Sequence, residues 1–170
     1  MSMLFSSRLF FIGLFLILTV VLIQAQEKMD DKMSEHPKHI MHMPSDLKWA
    51  DGPASLPMGV KVAILEGDMT KPGPFTVRVK FPANYKISPH WHPGVEHVTV
   101  LSGSFYMGLG DVLEESKATK ITLGGFAAME KETHHFAFTK EEAEIQLHGV
   151  GPWGITYVNP ADDPRNKTNQ

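Results

Sequence analysis

Phe75-Thr76-Val77-Arg78-Val79-Lys80-Phe81 alternates apolar and polar side chains without a break. A period of two places Phe75, Val77, Val79 and Phe81 on one face of an extended strand, with Thr76, Arg78 and Lys80 on the other. Comparable short runs follow one another from Val60 onward, over residues 60–65, 95–101, 104–109, 120–123, 126–129, 134–138, 143–148 and 154–158. Turn residues separate them. Ser102-Gly103 reads as a hairpin between the runs 95–101 and 104–109, with Gly103 free to take a positive φ. Residues 111–119 are a polar excursion, either a loop or one short helix. No Rossmann glycine fingerprint, phosphate-binding loop or internal repeat interrupts the series. The chain therefore reads as all-β, a barrel or a sandwich.

One of the turns carries chemistry. His90-Trp91-His92 is followed, after Pro93-Gly94-Val95, by Glu96. Imidazoles at i and i+2 share one face of a strand, and a carboxylate delivered past a Pro-Gly turn can converge on them. Neutral imidazoles with one carboxylate suit Fe(II), Mn(II), Ni(II), Zn(II) or Cu(II). The plainer reading is a pair of surface histidines beside a turn. Farther along, His134 and His135 are neighbours, and strand alternation lets only one of them face inward. By the same alternation His97 points away from the face of Glu96.

The spacing H-x-H-x3-E-x6-G, from His90 through His92 and Glu96 to Gly103, resembles the first motif of the cupin superfamily. The resemblance covers roughly residues 75–158 and implies a double-stranded β-helix, the jelly-roll barrel of the cupins. It also implies a fourth ligand from a second motif, G-x5-P-x-G-x2-H-x3-N. Counting that motif from Gly124 selects His135 over His134, so the implied ligand set is His90, His92, Glu96 and His135. Glu130, Glu132 and Thr139 stand where the motif has Pro, Gly and Asn, and Asn84 stands where the first motif opens with Gly. If the motif's glycine uses a positive φ, Glu132 carries a cost on the order of 1 kcal/mol. Asn84 is the better substitute for such a turn. The closing run from Gly151-Pro152-Trp153-Gly154 to Asp163-Pro164 is similar to that of small bacterial cupin-domain proteins. By that likeness it covers the barrel or mediates homodimer contacts.

The chain is bounded by other signals. Residues 1–8 are a short basic segment and residues 9–23 an apolar run broken only by Gly13 and Thr19, ending at Gln24-Ala25-Gln26. This reads as a signal peptide over residues 1–25, with an uncleaved anchor as the alternative. Its removal leaves 15 basic against 19 acidic residues, a balance of −4, too mild for a nucleic-acid partner. The expected location is periplasmic or secreted, with no membrane contact after cleavage. There is no cysteine, so neither a disulfide framework nor a thiolate site is available.

Residues 26–57 read as a Met/His-rich arm and lead-in, 58–160 as the barrel, and 161–170 as a tail. Within the arm His36, His39, Met41, His42 and Met43 form a tract of potential metal ligands, with a solvated linker as the simpler reading. Around the site, Gln146, His148 and Tyr106 are candidates for pocket-lining roles. If Gln146 and His148 face outward instead, Ile145 and Leu147 occupy the core. Tyr85, Trp91, Tyr106 and Trp153 are aromatic candidates for the barrel mouth, or core packing.

The resemblance implies one divalent transition metal (Fe, Mn, Zn, Ni or Cu) and a small-molecule substrate, with dioxygenase, isomerase or decarboxylase chemistry. The alternatives are a non-catalytic exported barrel that binds metal or a small ligand, and a barrel that has lost its metal and serves interaction alone.

Overall fold

The computed structural model describes residues 39–167. The leader, His36 and the last three residues lie outside the described residues. From His42 onward the chain is β-structure with four single-turn 3-10 segments. The strands are β1 (Ala50–Asp51), β2 (Lys61–Glu66), β3 (Gly73–Phe81), β4 (Lys86–Trp91), β5 (Glu96–Ser102), β6 (Ser104–Leu109), β7 (Thr119–Thr122), β8 (Phe126–Met129), β9 (His135–Phe138), β10 (Ala143–Gly151) and β11 (Thr156–Tyr157). They form two antiparallel sheets, ordered β1-β2-β3-β10-β5-β8 and β11-β4-β9-β6-β7. The fold is all-β, of the jelly-roll kind. The polar excursion at 111–119 is a loop holding one 3-10 turn, Glu115–Lys117.

The alternating run becomes β3, paired along its length with β10 and with β2. Phe75, Val77, Val79 and Phe81 are buried beside Ile145, Leu147, Val98 and Val100 of the same sheet, and Ile87, Phe105, Met107, Ile121 and Ala137 join them in one core from the other sheet. Hydrophobic burial between the two inner faces holds the sheets together.

The expected hairpin at Ser102-Gly103 is a corner instead. β5 pairs with β10 and β8, whereas β6 pairs with β7 and β9, so the chain passes from one sheet to the other at Gly103. Gly103 does take a positive φ of 67°, and a side chain there would meet the Glu142 carbonyl oxygen. The corner is closed too tightly for any other residue.

Two departures from the cupin motifs find physical explanations. Asn84 (φ 58°) and Glu132 (φ 60°) are the two non-glycine residues with positive φ among the described residues. Both stand where the motifs have glycine. Replacing Glu132 by glycine relieves the left-handed strain, offset in part by the entropy of a freer unfolded chain. The expected gain is about 0.5–1 kcal/mol, read as a higher urea midpoint at unchanged m-value. Thr139, in place of the motif's asparagine, is buried; its hydroxyl donates to Pro82 O at 2.7 Å and accepts from Tyr85 N at 3.2 Å. It thereby ties the end of β9 to the turn that launches β4.

On the outer side of β9, Phe136 lies over Gly108 so closely that an added Cβ would fall 2.2 Å from the ring. Phe136 is fully buried. Gly108→Ala is therefore expected to overpack this contact and cost about 1–3 kcal/mol, measurable as a lowered urea midpoint.

Candidate metal centre

The strand that carries His90 and His92 is aimed by a bulge. β4 pairs Ile87 with Ala137 and His90 with His135, so three steps on β4 oppose two on β9. Without the extra residue, the parity that sends Ile87 inward would send Trp91 inward and both histidines out. The irregularity falls at Ser88-Pro89, where proline has no N–H to offer a ladder. As a result Ile87, His90 and His92 all line the cavity, and Trp91 does not. Glu96 opens β5 on the inward parity of Val98 and Val100. His135 opens β9 and faces the same point, while its neighbour His134 is exposed beside Asp111. Glu132 N donates to His92 O at 2.8 Å, which joins the two motif loops directly.

One nitrogen from each of His90, His92 and His135 lies within 4.8 Å of the others, and all three rings are buried. Their tautomers are set from behind. Each Nδ1 donates to a backbone carbonyl: His90 to Ser88 at 2.8 Å, His92 to Gly154 at 2.7 Å, and His135 to Thr133 at 2.9 Å. Nε2 is then the lone-pair nitrogen on each ring, the arrangement that orients metal-binding imidazoles. The Glu96 carboxylate lies 3.7 Å from His92 Nε2 and 3.2 Å from His135 Nε2. His92 Nε2, His135 Nε2 and Glu96 Oε2 are buried without an aligned hydrogen-bond partner. Buried polar atoms are costly when left unsatisfied, and three that converge on one point fit a cation. Three imidazoles and a carboxylate are the donor set that divalent transition metals accept.

Electrostatics agree with that donor set. Burial, helped by the neighbouring imidazoles, pushes His90 down to about 3. Burial also lowers His92, against the pull of Glu96. Both are neutral donors at physiological pH. Burial alone would raise Glu96, yet the His135 and His92 imidazoles outweigh it and hold the carboxyl below its ordinary value. His135 is depressed by burial but carried above its usual value by Glu96.

The four side chains line a cavity of about 260 Å³ between the sheets. Part of its wall comes from the loop between β1 and β2, where Pro53, Ser55 and Leu56 line it; the expected lead-in over 26–57 therefore ends earlier, since β1 (Ala50–Asp51) already pairs with β2 in the sheet. Two phenols strap this segment down, Tyr157 donating to Ser55 O at 2.8 Å and Tyr85 donating to Pro57 O. Burial raises both hydroxyls, Tyr157 to about 12, so they stay protonated donors. Trp153 stacks on the His92 ring, with centroids 4.0 Å apart and planes at 17°, and also contacts Phe75, with centroids 5.5 Å apart. The Gly-Pro-Trp-Gly turn thus holds His92 twice, by the Gly154 carbonyl and by the indole.

Several expected pocket residues lie elsewhere. Gln146 and His148 face outward, because Ile145 and Leu147 take the inward positions of β10. His148 stacks on His97 from the adjoining strand, with ring centroids 4.8 Å apart, on the outer face. Tyr106 is also outside, stacked on Phe138 under Lys140, since Phe105 and Met107 are the inward residues of β6. Tyr85 packs against Phe81 and does not line the cavity. Of the four aromatic candidates only Trp153 does. In the Met/His tract, His42 Nε2 lies 3.0 Å from Leu65 O, where it serves as a hydrogen-bond donor.

Residues 37–153 match the model of the ChrR cupin-like domain family. No curated protein matches the chain. Among solved structures it is similar to the polyketide cyclase RemF from Streptomyces resistomycificus, at 16% identity and a TM-score of 0.60 over 75% of this chain and 90% of that one. It is similar to a candidate acetylacetone dioxygenase from Methylibium petroleiphilum PM1, at 18% identity and a TM-score of 0.58 over 77% and 88%. An RmlC-like cupin from Shewanella frigidimarina NCIMB 400 follows, at 14% identity and 0.52 over 67% and 91%. At these identities the likeness shows the fold alone.

Proposed function

The chain belongs to the ChrR cupin-like family, and within it we propose a mononuclear metalloenzyme whose metal is held by His90, His92, His135 and Glu96. The observation that supports this reading most is the convergence of three buried Nε2 atoms whose Nδ1 partners are all backbone carbonyls. Such a donor set is neutral apart from Glu96, so a divalent ion keeps a single net positive charge. These four residues would hold the ion, and a substrate would find room on it only if the ion accepts more than four ligands. The metal supplies Lewis-acid polarisation and, if iron or manganese, electron transfer.

The protein's own part is to fix, shelter and admit. Ser88, Thr133 and Gly154 carbonyls hold the imidazoles in register, and Trp153 blocks rotation of His92. The adjoining cavity favours a small-molecule reaction of dioxygenase, isomerase or decarboxylase type over a purely structural ion, which needs no space beside it. The apolar leader supports export, so the enzyme works in the periplasm or outside the cell.

The test is elemental analysis of protein purified without chelator, followed by reconstitution with Fe(II), Mn(II), Co(II), Ni(II), Cu(II) and Zn(II) in turn. Near-stoichiometric metal is expected. A protein that retains none of the six sinks the reading.

A further inference from the structure

Most histidines from His42 onward commit a ring nitrogen to an oxygen: His42 to Leu65, His90 to Ser88, His92 to Gly154, His134 to Asp111 and His135 to Thr133. His97 and His148 do not. Among the described residues His97 Nδ1 is buried with no hydrogen-bond partner, and none holds the His148 ring. The two stand directly opposite each other on β5 and β10, on the face of the six-stranded sheet turned away from the core. Their rings are parallel within 6°, with centroids 4.8 Å apart, and both residues are partly open to solvent. Phe126 also stacks on His97, at 6.0 Å.

The register leaves this pair free of charged neighbours. Thr76 flanks His148 on β3, and Ala128 flanks His97 on β8. Gln146 and Thr99 are the next outward residues along β10 and β5. Burial, and then His97, lowers His148, which keeps it a neutral donor at physiological pH. Imidazoles held side by side on paired strands need only turn about their Cβ–Cγ bonds to set one nitrogen each at about 2.0–2.1 Å from an ion. Neutral imidazole suits Zn(II), Ni(II) and Cu(II), with Cu(II) the tightest.

From this we infer a second metal site, formed by His97 and His148 on the outer sheet face, that takes imidazole-preferring divalent ions independently of the barrel centre. Two protein donors hold an ion less firmly than four, so this site exchanges with solution and empties on desalting. The metal content of desalted protein therefore reports the barrel centre alone.

The probe is Cu(II)–nitrilotriacetate, whose tetradentate chelator leaves two neighbouring positions and so selects paired imidazoles. It is titrated into zinc-loaded, desalted wild type and into His92→Ala, while electron paramagnetic resonance counts the imidazole nitrogens on copper. A single complex per chain, held by a pair of imidazoles, is expected in both proteins. His97→Ala and His148→Phe should each weaken it by roughly 10–100-fold. Phenylalanine at 148 keeps a ring to stack on His97 and removes only the donor, so a loss there is not lost packing. The double variant His39→Ala/His42→Ala should bind as wild type does.

Binding that survives His97→Ala and His148→Phe but falls in the double variant places the copper on the arm and overturns the inference. Binding lost in His92→Ala assigns it to the barrel centre and overturns it too. So does a lone imidazole nitrogen on copper, or no uptake at all; none of these outcomes touches the metal-centre reading above.

Discussion

His92→Ala and His135→Ala should each bring bound metal from near one ion per chain to below roughly a tenth, since removing a ligand costs more than the 10–100-fold typical of a supporting residue. His134→Ala should retain it, because His134 is exposed beside Asp111 and belongs to no part of the cluster. Metal that binds native protein stabilises it by about 2.7 kcal/mol at a hundredfold excess over Kd. A chelator should therefore lower the melting temperature of wild type and His134→Ala and leave the two ligand variants unmoved.

The variants should also differ from each other without metal. Glu96 lies 3.2 Å from His135 but 3.7 Å from His92, and it is buried. Deleting His135 strands a buried carboxylate from its nearest partner, and breaking such a pair costs about 3–5 kcal/mol. His92→Ala should cost less and is the cleaner probe of metal binding. Elemental analysis with paired melts checks both statements. Full metal occupancy in either ligand variant would remove that histidine from the proposed set.

How much of this could be read beforehand depends on which rule governs each residue. Alternation located the core face of β3, and it separated inward Glu96 from outward His97, because both strands are regular over those stretches. It left β10 open. Ile145 and Leu147 against Gln146 and His148 is a choice between two faces, and burial decides it only once the partner sheet is known. Tyr106 is undetermined by pattern for the same reason, since an aromatic ring suits either face of β6 and Phe105 and Met107 hold the inner one.

The segment carrying the first two histidines is recognisable by spacing as extended, but its register in the sheet is not. Its bulge at Ser88-Pro89 breaks the period that sequence reading relies on. The strap over the cavity was also hidden. Tyr85 and Tyr157 reach backbone carbonyls of Pro57 and Ser55, and a backbone acceptor leaves no mark on side-chain pattern. Trp153 was visible as an aromatic in a turn, yet its stacking on His92 spans 61 residues of sequence and follows from the pairing of β11 with β4.

That stacking carries the second large effect. Trp153→Ala removes an indole that packs against both the His92 ring and Phe75, and large aromatic truncations of packed sites cost about 3–5 kcal/mol. Because Trp153 is only half-buried, the lower end is expected, near 3 kcal/mol. The loss should reach the metal as well. The Gly154 carbonyl still accepts from His92 Nδ1, but the ring face opposite the cluster opens to water and the imidazole gains freedom to swing. A supporting residue of this kind is worth about 10–100-fold in metal affinity. Trp153→Phe restores an aromatic face and should recover most of both quantities. Competition against a chelator of known affinity reads the metal term, and urea unfolding of chelated protein reads the stability term. If Trp153→Ala lowers stability but leaves metal affinity at the wild-type value, the indole packs the barrel and does nothing for His92. If both fall and phenylalanine rescues both, the closing turn is part of the metal centre's support.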